Sequence, residues 1–449
     1  MKLPDYFIAD LPREAVITSG LVSEACQTLK RNAQRYLATR TTQQIIHVLE
    51  KLGRDWLNPD FAFRKQLLEA APAATGFSAP ILADGLDSLF SQLNAENLEN
   101  LLIQELGNPH ALDKLAPSGD RTALARGTQL QAHIASGNLP NPILVSILFG
   151  LLVKSAQFVK CASGQSFIPR LFAHSIYEAD AKLGACLEIA EWRGGSHELE
   201  TALFAEADCV TATGSDETLA AIRKHLSHKT RFIGYGTRVS FGYVTSDILT
   251  TPHPREIVRR AARDVIAWNQ LGCLSPHVIY VENNGSTSPE TFAHLLAEEL
   301  DLLEATHPRG TLTPHEAAAI TTRRSLYEIR AAHSLDTKLW VSNASTAWTV
   351  IFENDPQFQQ SCLNRFIYIK AVSGLDELLR VAEPIREYVS TVGLAATQIQ
   401  APALAHQLAL WGVTRICPLG QMQNPPLSWR HDGRPALADL VTWSEWERK

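Results

Sequence analysis

The sequence has no excess of positive charge: its 449 residues carry 41 Lys and Arg against 47 Asp and Glu, a formal net charge of −6. A protein built to neutralise nucleic-acid phosphates needs the opposite balance, so nucleic acid is excluded as the first-choice partner. No apolar run is long enough to span a bilayer. The longest, Ile143 to Val153, is closed by Lys154 and reads as a buried helix. The opening stretch, Met1 to Glu14, has one Lys before Asp5 and no continuous apolar segment, so it does not read as a signal peptide. Cysteine is sparse and dispersed. Cys26, Cys161, Cys186, Cys209, Cys273, Cys362 and Cys417 form no CxxC and no Cys/His cluster at zinc-ligand spacing, and their odd number fits reduced thiols in a cytoplasmic protein. Internal repeats, low-complexity tracts, coiled-coil heptads and long runs of like charge are also missing, so nothing points to a nucleic-acid or membrane face.

What is present is the composition of a folded protein: 45% hydrophobic and 20% charged residues, with 25 Gly and 23 Pro. At roughly 150 residues per domain, this length predicts two or three structural units. From Ser23 to about Leu115 apolar residues recur at three and four, as in Ile45, Ile46, Val48, Leu49 and Leu52, which predicts a mostly helical opening. Between Pro140 and Val244 short β-rich segments (157–160, 186–189, 208–211, 231–233) alternate with helices expected at 167–183 and 215–226. A second alternation follows, with helices expected at 254–268, 289–306 and 314–332 and strands at 277–282, 339–341, 349–352 and 365–370. Alternating β and α implies parallel, doubly wound sheets, so two α/β units are expected, divided near Thr245 to Pro254. The Pro- and Trp-rich tail after Pro418 reads as irregular.

Four segments could carry chemistry. Trp268-Asn269-Gln270-Leu271-Gly272-Cys273-Leu274-Ser275-Pro276 lies between an amphipathic helix and an apolar strand. Gly272 permits close backbone approach and Pro276 bars helix continuation, so the Cys273 sulfur could project into a cleft near backbone N–H donors. A buried, inert thiol is the plainer alternative. Asp208-Cys209-Val210-Thr211-Ala212-Thr213-Gly214-Ser215 ends a strand and opens a helix, where unpaired N–H groups could hold a pyrophosphate. The alternative is an ordinary Ser N-cap, which Asp216 and Glu217 in the first turn suit better. Asn138, in Gly137-Asn138-Leu139-Pro140, could donate to an oxyanion, and Lys160 at a strand end could reach a ribose or phosphate. Taken singly, an Asn turn and a solvated Lys explain those two as well.

In this order, Asn138, Lys160, Gly214-Ser215 and Cys273 resemble the landmarks of the aldehyde dehydrogenase superfamily: its Asn-aromatic-Pro segment, the Lys of its Lys-Pro-Ser-Glu segment, its Thr-Gly-Ser turn and its catalytic cysteine. Closer still is the bacterial fatty acyl-CoA reductase family typified by LuxC. Its patterns are similar to Gly137–Pro140, Asn269–Pro276, Ser390-Thr391-Val392-Gly393-Leu394, Arg415-Ile416-Cys417-Pro418-Leu419-Gly420 and Trp429-Arg430-His431-Asp432-Gly433-Arg434-Pro435. The resemblance covers nearly the whole chain. It implies an aldehyde-dehydrogenase-like α/β fold of two doubly wound domains with an α-helical N-terminal region. Residues 1–246 would hold that region and the dinucleotide-binding domain, 247–417 the catalytic cysteine domain, and 418–449 a segment packing on the body or on a subunit partner.

Departures from the superfamily pattern sharpen the expectation. Where hydrolytic members carry a general-base Glu, this chain has Gly234, within Ile233-Gly234-Tyr235-Gly236-Thr237-Arg238. Hydrolysis of a thioester needs that base, whereas acyl exchange between thiols does not. Where NAD-preferring members place a ribose-binding Glu, three residues beyond the Lys, Ser163 stands, which favours NADPH with NADH left open. Asn364, close to Phe366, replaces the Glu that binds the nicotinamide ribose. The resemblance therefore implies that Cys273 takes an acyl group from a fatty acyl-CoA or another acyl thioester, with Asn138 and the Cys273 N–H holding the oxyanion. A nicotinamide cofactor bound by Lys160, Ser163, Gly214, Ser215, Asn364 and Phe366 would reduce the acyl group to the aldehyde. The donor could also be an acyl-protein synthetase or acyl carrier protein, and the superfamily implies a homo-oligomer. Two alternatives stay open: an acyltransferase or thioesterase using Cys273 without nicotinamide, and a non-catalytic partner of an acyl carrier or synthetase. A reductase of acyl phosphates would want a basic pocket near Cys273 that the sequence does not display. His277 reads as a packing residue on the strand after the cysteine, and His431 and Asp432 as a structural turn.

Overall fold

A computed structural model describes residues 3–447 except 13, 120 and 251–253; three residues of the expected boundary stretch Thr245 to Pro254 thus lie outside the described residues. The chain divides into two compact units, one formed by residues up to 75, 86–236 and 426 onward, the other by 76–85 and 237–425. Helices Ser19–Asn32, Thr42–Leu57, Ala62–Thr75, Ala79–Phe90 and Ala95–Leu106 occupy the opening of the chain. The first two starts have a local cause. Thr18 Oγ1 accepts from Leu21 N, and Thr41 and Gln44 form a reciprocal capping box. The stripe Ile45, Ile46, Leu49, Leu52 and Trp56 is buried, and each such side chain contributes about 2 to 3 kcal/mol. Trp56 stacks on Phe90 and donates its indole N–H to Ser175 Oγ at 3.0 Å.

The first unit contains β1 (Ala116–Ser118), β2 (Arg121–Gly127), β3 (Leu130–Ile134), β4 (Ala156–Cys161), β5 (Leu187–Glu191), β6 (Cys209–Thr213) and β7 (Arg231–Tyr235). Strands β3 to β7 make one all-parallel sheet in the order β5-β4-β3-β6-β7. β4 is buried along its whole length, the pattern of a strand covered on both faces. The helix expected over 167–183 is broken: Phe167–Ala179 ends at Asp180, which turns extended and caps Lys182 and Leu183 to start the short helix Ala181–Gly184. A helix at His197–Glu206 was not legible from spacing.

The second unit contains β8 (Val239–Val244), β9 (Pro276–Glu282), β10 (Thr337–Val341), β11 (Thr349–Glu353), β12 (Phe366–Val372), β13 (Val389–Ala395) and β14 (Arg415–Pro418), in the order β10-β11-β12-β9-β8-β13-β14. Only β10 runs antiparallel to its neighbour. Helices Pro254–Ile266 and Pro289–Thr306 bury one face of this sheet against Ile279, Val281, Ile367 and Ile369. Residues of Pro314–His333, Leu375–Ala382 and Ala401–Trp411 join the cluster over the other face, with Phe241, Tyr280 and Tyr368. The tail is not irregular throughout. β15 (Val441–Trp446) pairs antiparallel with β2, from Val441 opposite Gly127 to Trp446 opposite Thr122, and its β-branched Val441 and Thr442 and aromatic Trp443 and Trp446 favour a strand. Among the described residues no helix is long and apolar enough to cross a membrane.

Candidate functional site

In the first unit the chain leaves β3 for β4 on one side and returns to β6 on the other, so the strand order reverses between β3 and β6. Ligands of open parallel sheets sit outside the carboxyl ends of the strands at that reversal. A small cleft lies there, lined by Ala135, Ser136, Leu139, Thr211 and Thr213. Its floor is His133, whose Nδ1 and Nε2 lie 2.6 Å from Thr211 Oγ1 and 2.9 Å from Gln157 Oε1. Burial pushes this imidazole down to about 4, so it is neutral at physiological pH.

The candidate cofactor residues of this unit line the same sheet edge. Asn138 is exposed on the loop from β3 to helix Asn141–Leu152. Lys160, next to last on β4, is only 4% exposed, and among the described residues its ammonium has no hydrogen bond or ion pair. Burial lowers its pKa, while Glu200, Cys161 and Glu191 act in the opposite sense. Ser163 lies in the exposed turn that follows. Sequence reasoning missed a carboxylate here. Glu191, the last residue of β5, accepts from Gly164 N at 2.6 Å and from Ser166 N at 3.1 Å, one residue from Ser163 on the chain. Gly214 links β6 to helix Asp216–His225, and Ser215 caps that helix, its Oγ accepting from Thr218 N at 3.3 Å. Gly234 sits on β7 opposite Ala212. The block after Trp429 packs on this strand: His431 stacks on Tyr235 with centroids 4.2 Å apart, within a short turn whose Asp432 is left-handed at φ 53°.

In the second unit Cys273 occupies a tight turn closed by Ser275 N donating to Gly272 O at 3.0 Å. All seven cysteines lie among the described residues, and Cys273 alone is exposed. Burial drives the thiols of Cys26, Cys161, Cys186, Cys209 and Cys417 up to about 12 and that of Cys362 to about 11, which keeps them protonated and unreactive. The Cys273 turn is held from behind. Buried Ser240 on β8 donates from Oγ to Cys273 O at 2.8 Å and accepts from Thr391 N at 3.2 Å. Gln423 Nε2 donates to Ser275 Oγ at 2.5 Å, and a Cβ at Gly272 would come 2.3 Å from that amide.

The approach to the turn has an unusual backbone. Trp268, Asn269 and Gln270 all have positive φ (50°, 51° and 62°), as do Leu363, Asn364 and Arg365 (64°, 56° and 65°). A non-glycine residue there costs of order 1 kcal/mol or more, so surrounding contacts must enforce it. The two loops hold each other: Asn364 N donates to Asn269 O at 2.9 Å and Arg365 Nε to Asn269 Oδ1 at 3.0 Å. Asn269 Nδ2 donates to Arg309 O at 2.8 Å, and fully buried Arg365 pairs with Glu304 at 2.7 Å. The Asn364 amide is engaged by Glu316 Oε1 at 3.3 Å, and Phe366 on β12 has no exposed surface. His277 is buried, its Nδ1 accepting from Ser361 N at 3.2 Å, and burial lowers it to about 4. Among the described residues no cluster of His, Cys, Asp and Glu could hold a metal ion.

An all-parallel sheet with a ligand-type reversal and a second sheet carrying an exposed thiol in a clamped turn define an α/β fold of the aldehyde dehydrogenase type. Solved structures share it. A salicylaldehyde dehydrogenase from Pseudomonas putida G7 matches with TM-score 0.72 and 15% identity over 97% of this chain and 91% of that one. The bifunctional proline utilization A (PutA) protein matches with TM-score 0.73 and 14% identity over 96% of this chain, which spans 45% of that protein. The family model for acyl-CoA reductase (LuxC) matches residues 37–443, and the chain belongs to that family. It is 24% identical over 448 residues to a long-chain acyl-protein thioester reductase of Aliivibrio fischeri, covering 97% of this chain and 87% of the relative.

Proposed function

We propose that this chain reduces a long-chain acyl thioester to the aldehyde through an S-acyl intermediate on Cys273. The observation that carries the reading is the exposure of this one thiol, in a turn fixed by Ser240 and Gln423, beside six cysteines that burial silences. Cys273, as thiolate, attacks the acyl carbonyl; the Asn138 amide and the Cys273 N–H take the developing oxyanion, each such donor being worth about 3 to 4 kcal/mol in acyl chemistry. The C–S bond to the donor breaks, the donor leaves as a thiol, and the acyl group stays on Cys273. Gly234 offers no carboxylate to activate water, which favours retention of that intermediate over hydrolysis.

The first unit fits a nicotinamide dinucleotide: its sheet reverses order above a cleft, and Lys160, 4% exposed, brings to the same edge an ammonium with no hydrogen bond or ion pair among the described residues. Lys160, Ser163, Gly214 and Ser215 would hold the cofactor there, with Asn364 assigned to its nicotinamide end; Phe366, also expected there, has no exposed surface to offer it. The bound cofactor supplies a hydride to the acyl carbonyl. Cys273 is then the leaving group as the aldehyde is released. Ser163 favours NADPH, and Glu191 beside it keeps NADH as the competitor. The donor is a protein-bound acyl group, as in the printed name of the relative, or acyl-CoA, as in the family's description. The same reading makes the protein a cytoplasmic homo-oligomer served by an acyl carrier or synthetase.

The test is to mix the protein with NADPH or NADH and long-chain acyl-CoA, acyl-carrier-protein or acyl-synthetase conjugates. Loss of reduced-nicotinamide absorbance is followed, and S-acyl-Cys273 is sought by mass spectrometry. No oxidation with any thioester would overturn the reading. Cys273→Ala should abolish both signals.

A further inference from the structure

The block Arg415–Gly420 is among the most distinctive in the sequence, yet the mechanism above gives it no task. Its geometry supplies one. Asp264, on the last turn of helix Pro254–Ile266 and 2% exposed, accepts from Gly420 N at 2.5 Å and Met422 N at 2.9 Å. Arg415, at the start of β14 and 8% exposed, donates from Nη1 to Met422 O at 2.6 Å and from Nη2 to Gln421 O at 2.8 Å. One carboxylate thus takes the N–H groups and one guanidinium the carbonyls of a single turn, itself closed by Gln421 N donating to Pro418 O at 3.0 Å. The turn lies hard against the helix: a Cβ at Gly420, whose φ is +91°, would be 2.8 Å from Arg260 Cβ. Met422, fully buried, anchors it from the other side, since a Cβ at Gly393 would fall 2.6 Å from its sulfur. The next residue is Gln423, whose amide fills the space before Gly272 and donates to Ser275.

We propose that Asp264 and Arg415 are positioning residues that clamp the 418–423 turn, so that Gln423 fixes the Gly272–Ser275 turn and aims the Cys273 sulfur. The contacts form a closed circuit: the helix leading into the nucleophile turn holds the β14 turn, and the β14 turn holds the nucleophile turn. Both grips are buried, and the Arg415 grip is charge-assisted, the strong kind of hydrogen bond; burial pushes the Asp264 carboxyl up to about 7, against the Gly420 and Met422 N–H groups and Arg415. The clamp also places a fixed positive charge within electrostatic reach of the sulfur. Burial lowers the pKa of Arg415, and a negative charge on Asp264 or Cys273 acts to raise it. That coupling is reciprocal: a guanidinium favoured by a thiolate favours that thiolate.

This inference rests on Cys273 being the nucleophile, and its test separates the two. The rate of alkylation of Cys273 by iodoacetamide is measured against pH for the wild type, Arg415→Met, Arg415→Lys and Gln423→Ala, followed by kcat and KM for acyl-thioester reduction. Arg415→Met should move the alkylation midpoint up by about half a pH unit or more. Arg415→Lys, which keeps the charge but not the two-pronged grip, should restore the midpoint while kcat stays low. Gln423→Ala leaves both charged residues in place and should lower kcat about tenfold with KM nearly unchanged, as expected of lost orientation. A midpoint unmoved in Arg415→Met, or a kcat within twofold of wild type in Gln423→Ala, would overturn the clamp. If Arg415→Met does not fold, Gln423→Ala alone decides. Should the wild type alkylate at Cys273 yet never carry an acyl group there, the functional reading fails instead, and the midpoints still judge the clamp.

Discussion

Arg365→Met isolates the strut behind the Cys273 loop. The guanidinium is fully buried, donates to Asn269 Oδ1 at 3.0 Å and pairs with Glu304 at 2.7 Å. Burial pulls its pKa down to about 10, with Glu304 opposing, so it is still cationic at neutral pH. Methionine matches much of its length but leaves the Asn269 oxygen without its donor and takes the guanidinium from Glu304, which among the described residues keeps only the Arg309 N–H at 3.2 Å. Removing one member of a buried pair costs about 3 to 5 kcal/mol. The Glu304 side chain is 29% exposed and can recover water, which puts that part at or below the lower end. An orphaned buried amide oxygen adds about 1 to 2 kcal/mol, and relief of positive φ at 268–270 and 363–365 returns some of it. A net loss of about 3 kcal/mol should lower the melting temperature of a unit of about 200 residues by roughly 6 to 12 °C. Differential scanning calorimetry reads the shift, and alkylation of Cys273 reads the loop. A melting point within 2 °C of wild type would refute the strut, and so would an unchanged alkylation rate in a protein that melts early.

Iodoacetamide at pH 7.5 should label one thiol per chain, Cys273, with the other six modified only after denaturation; peptide mass spectrometry checks this, and early labelling of Cys362 would contradict the burial argument. Burial lifts Glu188 to about 8 although Ile8 N and Ile189 N donate to it, and Asp10 adds to the rise. The folded state then binds this proton more tightly than the unfolded chain, so its stabilising effect is complete below about 4.5 and is lost as pH climbs toward 8. Glu188→Gln should flatten that part of the stability-against-pH curve in urea titrations, and an unchanged slope would count against a protonated Glu188. Lys160→Met should raise the cofactor KM at least tenfold with little change in melting temperature, since the ammonium has no partner within the described protein. Glu191→Gln should shift the preference between NADPH and NADH toward NADPH; steady-state KM values for both cofactors would settle it.

How far the sequence reached depends on the range of the contact involved. β9 was legible because a strand buried on both faces reads as a continuous apolar run, here Val278 to Val281. β13 escaped because its Ser390 and Thr391 are polar yet wholly buried, an identity that only its neighbours β8 and β14 explain. The exposed position of Cys273 was legible because Gly272 and Pro276 frame it locally. Its supports were not: Ser240, Gln423 and Arg365 meet the 268–276 segment from distant strands and loops, and an isolated Arg or Gln reads as surface. The Trp268–Gln270 and Leu363–Arg365 conformations are illegible in principle from propensity, since runs of non-glycine residues at positive φ are unfavourable on their own and persist only because each loop enforces the other. The candidate site residues carry short-range signatures, whereas the contacts that hold them are specified by long-range packing. The Asn364 amide shows the consequence. Its sequence position suggests a ribose contact, but the fold first gives it to Glu316, so any cofactor reaching Asn364 must compete with a carboxylate that no local pattern announced.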